Sequence, residues 1–508
     1  MSVDNKRIAR NTLALYFRMI LTVLVTLYTS RIILTALGVS DFGLFGLVGG
    51  VVLLLGFLNA AMVSSIQRFL NFEKGTEFRG GPRTRVFATG LGIQLLLALG
   101  ILVLAETLGL WFLNTRLSID PERLAAANWV YQCAILSFLT VVIMAPYNAV
   151  IVANERMSAF AYISILDVSL KLALALALVH LPGDKLKVYA VLTLLASVTV
   201  AAVYALYALR NFSETRTRPR RDRELFGQML SFSSWSILSN LSVVLRLQGT
   251  NIALNLMFGT LVNAAFGLAM QVGNTVQNLS SSFIQAINPQ IVKTYAAGDL
   301  QQMHRLVLVG CRLSFFLVLF FVLPALLEAE ALLRLWLVDV PQHTTVFVQL
   351  VLIQAQVESF AGVMATAQGA TGRVRLYHMV LSATGLMNLP VSYFLLRAGF
   401  APQVVFQVAI VLSGVICIIR LLFLHKSIEL PIGRFLREVA LPCAAVVTLA
   451  PLLPLLARQH VMIGPPGIIV VLGTAVLSIL GCVALLGLTR DERGMVTTKI
   501  MGKIGKLG

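Results

Sequence analysis

Runs of about 20 apolar residues, the length needed to cross a hydrocarbon core, recur from one end of this 508-residue chain to the other. A backbone in hydrocarbon must satisfy its own hydrogen bonds, and continuous apolar runs do so as helices. Only 12% of the residues are charged, about half the usual share of a soluble domain. The fold class is therefore an all-α polytopic membrane protein with about 14 transmembrane helices. The runs lie near residues 11–36, 42–70, 86–113, 126–153, 159–181, 188–209, 229–257, 260–289, 306–328, 345–368, 377–396, 403–424, 440–457 and 467–488. The second, seventh and eighth exceed a bilayer's thickness and should tilt, bend or project.

The first run follows "MSVDNKRIARNT" and extends to about Leu37. It is too long for the core of a cleavable signal and has no small-x-small site, so it reads as the first span. Most of the 40 Lys and Arg fall on one side if the N-terminus is cytoplasmic, in "KGTEFRGGPRTR", "RNFSETRTRPRRDR" and "KIMGKIGKLG". Both termini are then cytoplasmic. This topology also accounts for the net charge of +18 without a nucleic-acid partner. In the tail, Val496, Ile500, Ile504 and Leu507 share a face beside three lysines, which suits either a helix on an anionic leaflet or a disordered end. Cys133, Cys311, Cys417, Cys443 and Cys482 sit in separate apolar runs without C-x-x-C spacing and read as core residues.

A weak internal repeat places Phe45-Gly46-Leu47 on Phe266-Gly267-Leu268, and "SSIQRFLNFEKG" near "QAINPQIVKTYAAG", at an offset of about 221 residues. The expected organisation is a six-helix lobe over 1–210, a basic linker over 211–228 and a pseudo-symmetric six-helix lobe over 229–426. A terminal helix pair follows over 427–490, then the basic tail 491–508. Duplicated lobes enclosing a site are a carrier geometry.

Polar side chains break the seventh and eighth runs in a pattern. Asn240, Gln248, Asn251 and Asn255 fall on one helical face, and Asn263, Gln271, Asn274, Asn278 and Gln285 repeat the spacing on the next run. Amides in hydrocarbon need partners or water. Two readings remain open: the stripes bond each other and glue the helices, or they line a hydrated cavity. Their number exceeds what packing two helices requires and favours the cavity, where amides would donate to and accept from sugar hydroxyls. Arg246 lies off this face, so either Gly249 bends the helix or Arg246 meets an acid elsewhere.

Other ionisable residues lie within the runs. Asp167 and Lys171 are spaced i, i+4 and can pair, either as a neutral structural couple or as an ion-responsive one. Glu358, near Gln354 and Gln356, is the leading acidic candidate for ion coupling. Arg18 and Arg31 are candidate cavity cations, with snorkelling as the alternative; Arg68, Arg312 and Arg420 read as snorkelling. Bases outnumber acids in the spans, which favours an anionic ligand such as a pyrophosphate.

The chain has no P-loop, no dinucleotide fingerprint and no metal-spaced cluster among its six histidines. No cofactor is implied. The segments between spans are too short for a catalytic domain, so a non-enzyme is expected.

Residues 7–75, "RIARNTLALYFRMILTVLVTLYTSRIILTALGVSDFGLFGLVGGVVLLLGFLNAAMVSSIQRFLNFEKG", resemble the N-terminal signature of bacterial polysaccharide (O-antigen-type) flippases. These belong to the multidrug/oligosaccharidyl-lipid/polysaccharide exporter superfamily. "INPQIVKTYAAGD" supports the resemblance more loosely. It implies transport of undecaprenyl-pyrophosphate-linked glycan units across the bacterial inner membrane for O-antigen or exopolysaccharide synthesis, by alternating access through a cationic cavity. From the family's cavity cations, Arg18, Arg31 and Arg246 carry over. The implied partners are the lipid-linked glycan, the bilayer, and a polysaccharide polymerase with other glycan-assembly membrane proteins. A lipid II flippase, a multidrug exporter of the same superfamily and a non-transporting scaffold for glycan-assembly enzymes remain alternatives.

Overall fold

The computed structural model describes residues 2–72, 83–154, 156–217, 219, 222–460 and 465–488. Within them, side chains are not described for 2–20, 60, 61, 64, 68, 71, 72, 157, 232–239, 282, 285, 286, 289, 460 and 465. The described residues contain helices and no strand. In chain order they are α1 (Ser2–Leu53), α2 (Gly56–Phe72), α3 (Arg83–Thr115), α4 (Pro121–Ala153), α5 (Met157–His180), α6 (Lys185–Asn211), α7 (Arg223–Phe258) and α8 (Thr260–Ala296). Then come α9 (Leu300–Leu327), the short α10 (Ala329–Trp336), α11 (Thr344–Ala370), α12 (Arg375–Arg397), α13 (Val404–Ile428), α14 (Ile432–Gln459) and α15 (Pro466–Gly487).

Eleven of these are long and apolar enough to cross a membrane; α7 and α8, which carry the amide stripes, are not among the eleven. Gly38 (φ 76°, ψ 167°) divides α1 into two arms. The second arm continues through a turn at Leu54–Leu55 into α2, so the overlong second run is broken rather than merely tilted. With α2, α7 and α8 the helices account for the 14 apolar runs. α7 and α8, at 36 and 37 residues, are continuous helices of about 55 Å each.

The chain forms two compact units. The first comprises 1–267 with 336–342 and 389–402; the second comprises 268–335, 343–388 and 403–508. By contacts, α7 and the first turns of α8 belong to the first unit, so the six-helix division at 211–228 stays a proposal.

In the first unit α4 and α6 meet through small residues. Ala126, Ala127, Ala145, Ala149 and Ala153 are buried on α4, and Ala190, Ala196, Ala201 and Ala208 on α6. Small side chains let helix backbones approach, which matters where lipid is as apolar as the interface. Ion pairs clip the helix ends. At the end holding Gly38 and Gly259, Arg123 forks between Asp41 and Asp184. At the opposite end Arg83 donates to Asn154 (2.9 Å), Asn154 donates to Glu214 (3.1 Å), and Arg85 pairs with Asp222.

The second unit packs α9, α11, α13, α14 and α15 around Phe315, Phe316, Leu319, Met364, Leu424 and Val446. Cys311 and Cys443 are buried there, and Cys417 and Cys482 pack against the same core. The amphipathic tail 491–508 and the cluster at 74–82 lie outside the described residues.

Candidate functional site

The turn between α7 and α8 is a single residue. Gly259 has φ 77° and ψ −172°, backbone angles that a Cβ disfavours. Gly38, 221 positions earlier, adopts nearly the same angles, so the repeat seen in the sequence places two like turns in register. The two hairpins also touch. Ser40 Oγ and Thr260 Oγ1 share a 3.1 Å hydrogen bond, and Gly43 lies so close to the Thr260 carbonyl that an added Cβ would overlap it.

Beside this junction the amide stripes bond each other. Asn263 Nδ2 donates to both the side-chain and backbone oxygens of Asn251, each at 2.7 Å. Asn255 Nδ2 donates to Asn263 Oδ1 (3.2 Å) and to the Ser118 carbonyl (3.3 Å), and Ser118 N–H donates back to Asn255 Oδ1 (3.0 Å). Asn251, Asn255 and Asn263 are 6%, 0% and 3% exposed. Here the gluing alternative describes the geometry. Asn251 and Asn255, expected to meet substrate, have turned their amides to α8 and to the α3–α4 loop. Each such bond contributes about 0.5–1.5 kcal/mol net, and leaving one partner buried and unpaired costs more.

Further along α8 the same face opens. Gly267, Gln271, Asn274 and Asn278 follow Asn263 at spacings of three and four, and Gly267, Asn274 and Asn278 are exposed while Gln271 is half-buried. An exposed amide such as Asn274 takes water or a polar ligand as its neighbour rather than hydrocarbon. On α7, Gln248 is half-buried with its side-chain oxygen against Gly50, where an added Cβ would collide with it. Asn240 is half-buried, and Gln285 has no described side chain.

Gly249 does not bend α7. The helix runs unbroken past it, and its missing side chain makes a seat for Leu389, whose Cδ2 would lie 2.7 Å from an added Cβ. Arg246 therefore stays roughly 160° round the helix from the amides, half-buried. On α1, Arg31 is half-buried on the face that exposes Leu24, Tyr28 and Thr35. Arg18 lies in α1, but its side chain falls outside the described residues.

The α5 pair forms as its spacing predicts, with Lys171 Nζ donating to Asp167 Oδ2 at 2.9 Å. Its place on the helix is informative. Tyr162, Leu166, Ser169, Ala173 and Leu176 make one exposed face, and the pair lies on the other side, the side that carries the fully buried Ala175 and Leu178 one and two turns beyond Lys171. Lys171 is nevertheless 51% exposed. The inward side of α5 is open at this depth.

In the second unit Glu358 sits where α11 breaks. Gln354 Nε2 (3.0 Å) and Ser413 Oγ (2.8 Å) both donate to its Oε1. The break is held by Ser359 Oγ donating to the Gln356 carbonyl (2.7 Å) and Ser314 Oγ donating to the Ser359 carbonyl (2.8 Å).

Two ionisable residues differ from the sequence reading, and a third was not in it. Arg312 is 2% exposed rather than snorkelling. It donates to the Glu438 carbonyl (3.0 Å) within the widened π-turn Leu436–Ala440. Arg420 likewise turns inward, to the Ala361 carbonyl (3.2 Å) and Tyr377 Oη. Glu106 escaped the sequence reading. A second π-turn, Ala105–Gly109, holds it against Gln132 Nε2 (3.1 Å), while Tyr131 Oη donates to the Ala105 carbonyl (2.8 Å). A lone acid in the apolar run "LAETLGLW" was the available signal.

No protein-family model matches this chain, and no curated protein matches it by sequence. Solved structures do match it in fold. "Lipid II flippase MurJ, inward closed conformation" superposes with a TM-score of 0.67 at 12% identity, covering 94% of this chain and 98% of that one. "Inward-facing conformation of a multidrug resistance MATE family transporter of the MOP superfamily" gives 0.62 at 15% identity, with 80% and 94% covered. "Crystal structure of MATE in complex with MaL6" gives 0.59 at 14% identity, with 82% and 96% covered. At these identities the likeness establishes the fold, which is that of solved membrane transporters.

Proposed function

We propose that the chain is a flippase that moves undecaprenyl-pyrophosphate-linked oligosaccharide units across the bacterial inner membrane, with both termini cytoplasmic, by alternating access. The observation that carries this reading is the exposed Asn274 amide on α8, where hydrocarbon is an unsuitable neighbour and a hydroxyl-rich ligand a suitable one. The inward opening beside Lys171 supports it.

In the first unit Arg18, Arg31 and Arg246 are proposed to meet the pyrophosphate, as guanidinium groups can bind phosphate oxygens bidentately, and Gln248 to meet sugar. In the second, Gln271, Asn274 and Asn278 are proposed to meet sugar hydroxyls. Asp167 with Lys171, and Glu358, are the proposed ion-coupling groups. Asn251 and Asn255 leave the ligand set because their amides are committed to protein partners. The polymerase and other glycan-assembly membrane proteins are proposed companions.

A lipid II flippase is the second reading, favoured by the near-full coverage of the MurJ fold. It shares the lipid-pyrophosphate chemistry and differs in the glycan. A multidrug exporter for organic cations fits less well, since bases outnumber acids in the spans. A non-transporting scaffold would tolerate loss of the polar residues.

The test is a leaflet-resolved assay of labelled lipid-linked oligosaccharide and of lipid II in proteoliposomes. Wild type is expected to flip the oligosaccharide faster, and Arg246→Ala and Asn274→Ala to slow it. Unchanged flipping in both variants rejects these residue roles. No flipping by wild type, with or without an ion gradient, rejects the function.

A further inference from the structure

We infer that Asn251, Asn255 and Asn263, together with Ser118, form a polar gate that closes the Gly38–Gly259 end of the first unit and opens by exchanging its internal hydrogen bonds for water. This rests on the transport reading and assigns a role to the part of the stripes that ligand binding leaves unused.

The chemistry of the closure is the first argument. Ile252, Ala253, Leu254, Val262, Ala264 and Ala265 around the cluster are buried and apolar, so the location could have been filled with hydrocarbon. An apolar plug exposes hydrocarbon to water each time it opens. An amide loses one partner and takes another, since protein–protein and protein–water hydrogen bonds are of similar strength. A cluster of amides is thus suited to a junction with two states.

The second argument is mechanical. The helices that meet here turn on single glycines, Gly38 and Gly259, with matching backbone angles. Neither has an atom within 4 Å of an added Cβ, so both turns have room to move. The ties at this end are non-covalent: the Ser40–Thr260 hydroxyl pair, Gly43 packed on the Thr260 carbonyl, Gln248 against Gly50, the Arg123 fork to Asp41 and Asp184, the Trp336 indole N–H donating to the Leu27 carbonyl at 2.7 Å, and Leu389 in the Gly249 seat. The third argument is the abrupt change along α8. Asn263 is sealed, and one turn later Gly267 on the same face is exposed with open space before it. The cluster stands between the exposed stretch of α8 and the Gly38 end.

Gly267→Cys provides a reporter in the full chain, because an added side chain there meets nothing. Its labelling by a membrane-impermeant maleimide, measured by mass on the residue-267 peptide, is followed with reagent on each side of vesicles. Adding Asn263→Ala is expected to raise labelling from the Gly38 side about tenfold, the effect of removing roughly one hydrogen bond of closure. A Ser40→Cys, Thr260→Cys disulfide, at a pair whose hydroxyls already touch, is expected to abolish that labelling and to stop flipping until reduced. If Asn263→Ala does not insert, the cross-linked pair alone decides. Labelling indifferent to Asn263→Ala, or labelling and flipping indifferent to the cross-link, overturns the gate. Labelling needs no substrate, so a gated chain that flips nothing faults the transport reading and leaves the gate standing.

Discussion

Asn263 and Asn274 stand on the same face of the same helix and carry the same side chain, yet one is sealed and the other exposed. Both satisfy the rule that a polar group at membrane depth needs a partner. Asn263 finds it in Asn251 and Asn255, on the preceding helix; Asn274 is left to water or ligand. Polarity in a span therefore has two meanings, and neighbours decide between them.

The largest effect that would sharpen this contrast comes from backbone contact. Gly43→Val should push a side chain into the Thr260 carbonyl and destabilise by about 3 kcal/mol, the upper range of overpacking, seen as lost expression or a lowered Tm in detergent. Gly267→Ala, four residues beyond Asn263 where the stretch opens, should leave Tm unchanged. Asn263→Ala should cost about 1–3 kcal/mol, because it strands buried acceptors on Asn251 and a donor on Asn255. Asn274→Ala should change stability by no more than about 0.5 kcal/mol while slowing flipping severalfold. If thermal unfolding ranks Asn274→Ala with Asn263→Ala, the distinction between sealed and open stretches is lost.

The smallest effect concerns the clip at the sealed end. Burial raises the Asp184 carboxyl, but hydrogen bonds and charge from Arg123, with the Leu186 and Lys187 amides, outweigh it and hold the group below its ordinary value of 3.8. A lowered native value means its contribution is complete above that ordinary value and fades as pH falls through the lowered one. Tm should therefore be insensitive to this group from neutral pH down to about 4 and drop below it, and Arg123→Gln should flatten that acid limb. A pair this exposed contributes little at neutral pH.

Much of the architecture was legible because it depends on short spacings. Apolar runs marked the helices, i, i+4 spacing paired Asp167 with Lys171, and the offset read from Phe45-Gly46-Leu47 and Phe266-Gly267-Leu268 is the one that separates the like turns at Gly38 and Gly259. Other features depend on residues far away in the chain. Asn255 is closed by Ser118, 137 positions earlier. A bend at Gly249 was one of two ways to account for Arg246, and Leu389, 140 positions later, makes Gly249 a seat instead. Arg312 read as snorkelling, and a π-turn in α14 offers it a carbonyl instead. Glu106 was overlooked because a single acid in an apolar run has no periodicity to mark it.

The sequence by itself determined the solvent of this chain, its helices and the side of each helix on which polar groups gather, since these follow from local hydropathy and a period of 3.6 residues. Tertiary structure alone decided which of those groups are sealed and which meet water. The reason is that satisfying a hydrogen bond takes a second group, and here that group is usually supplied by a distant segment.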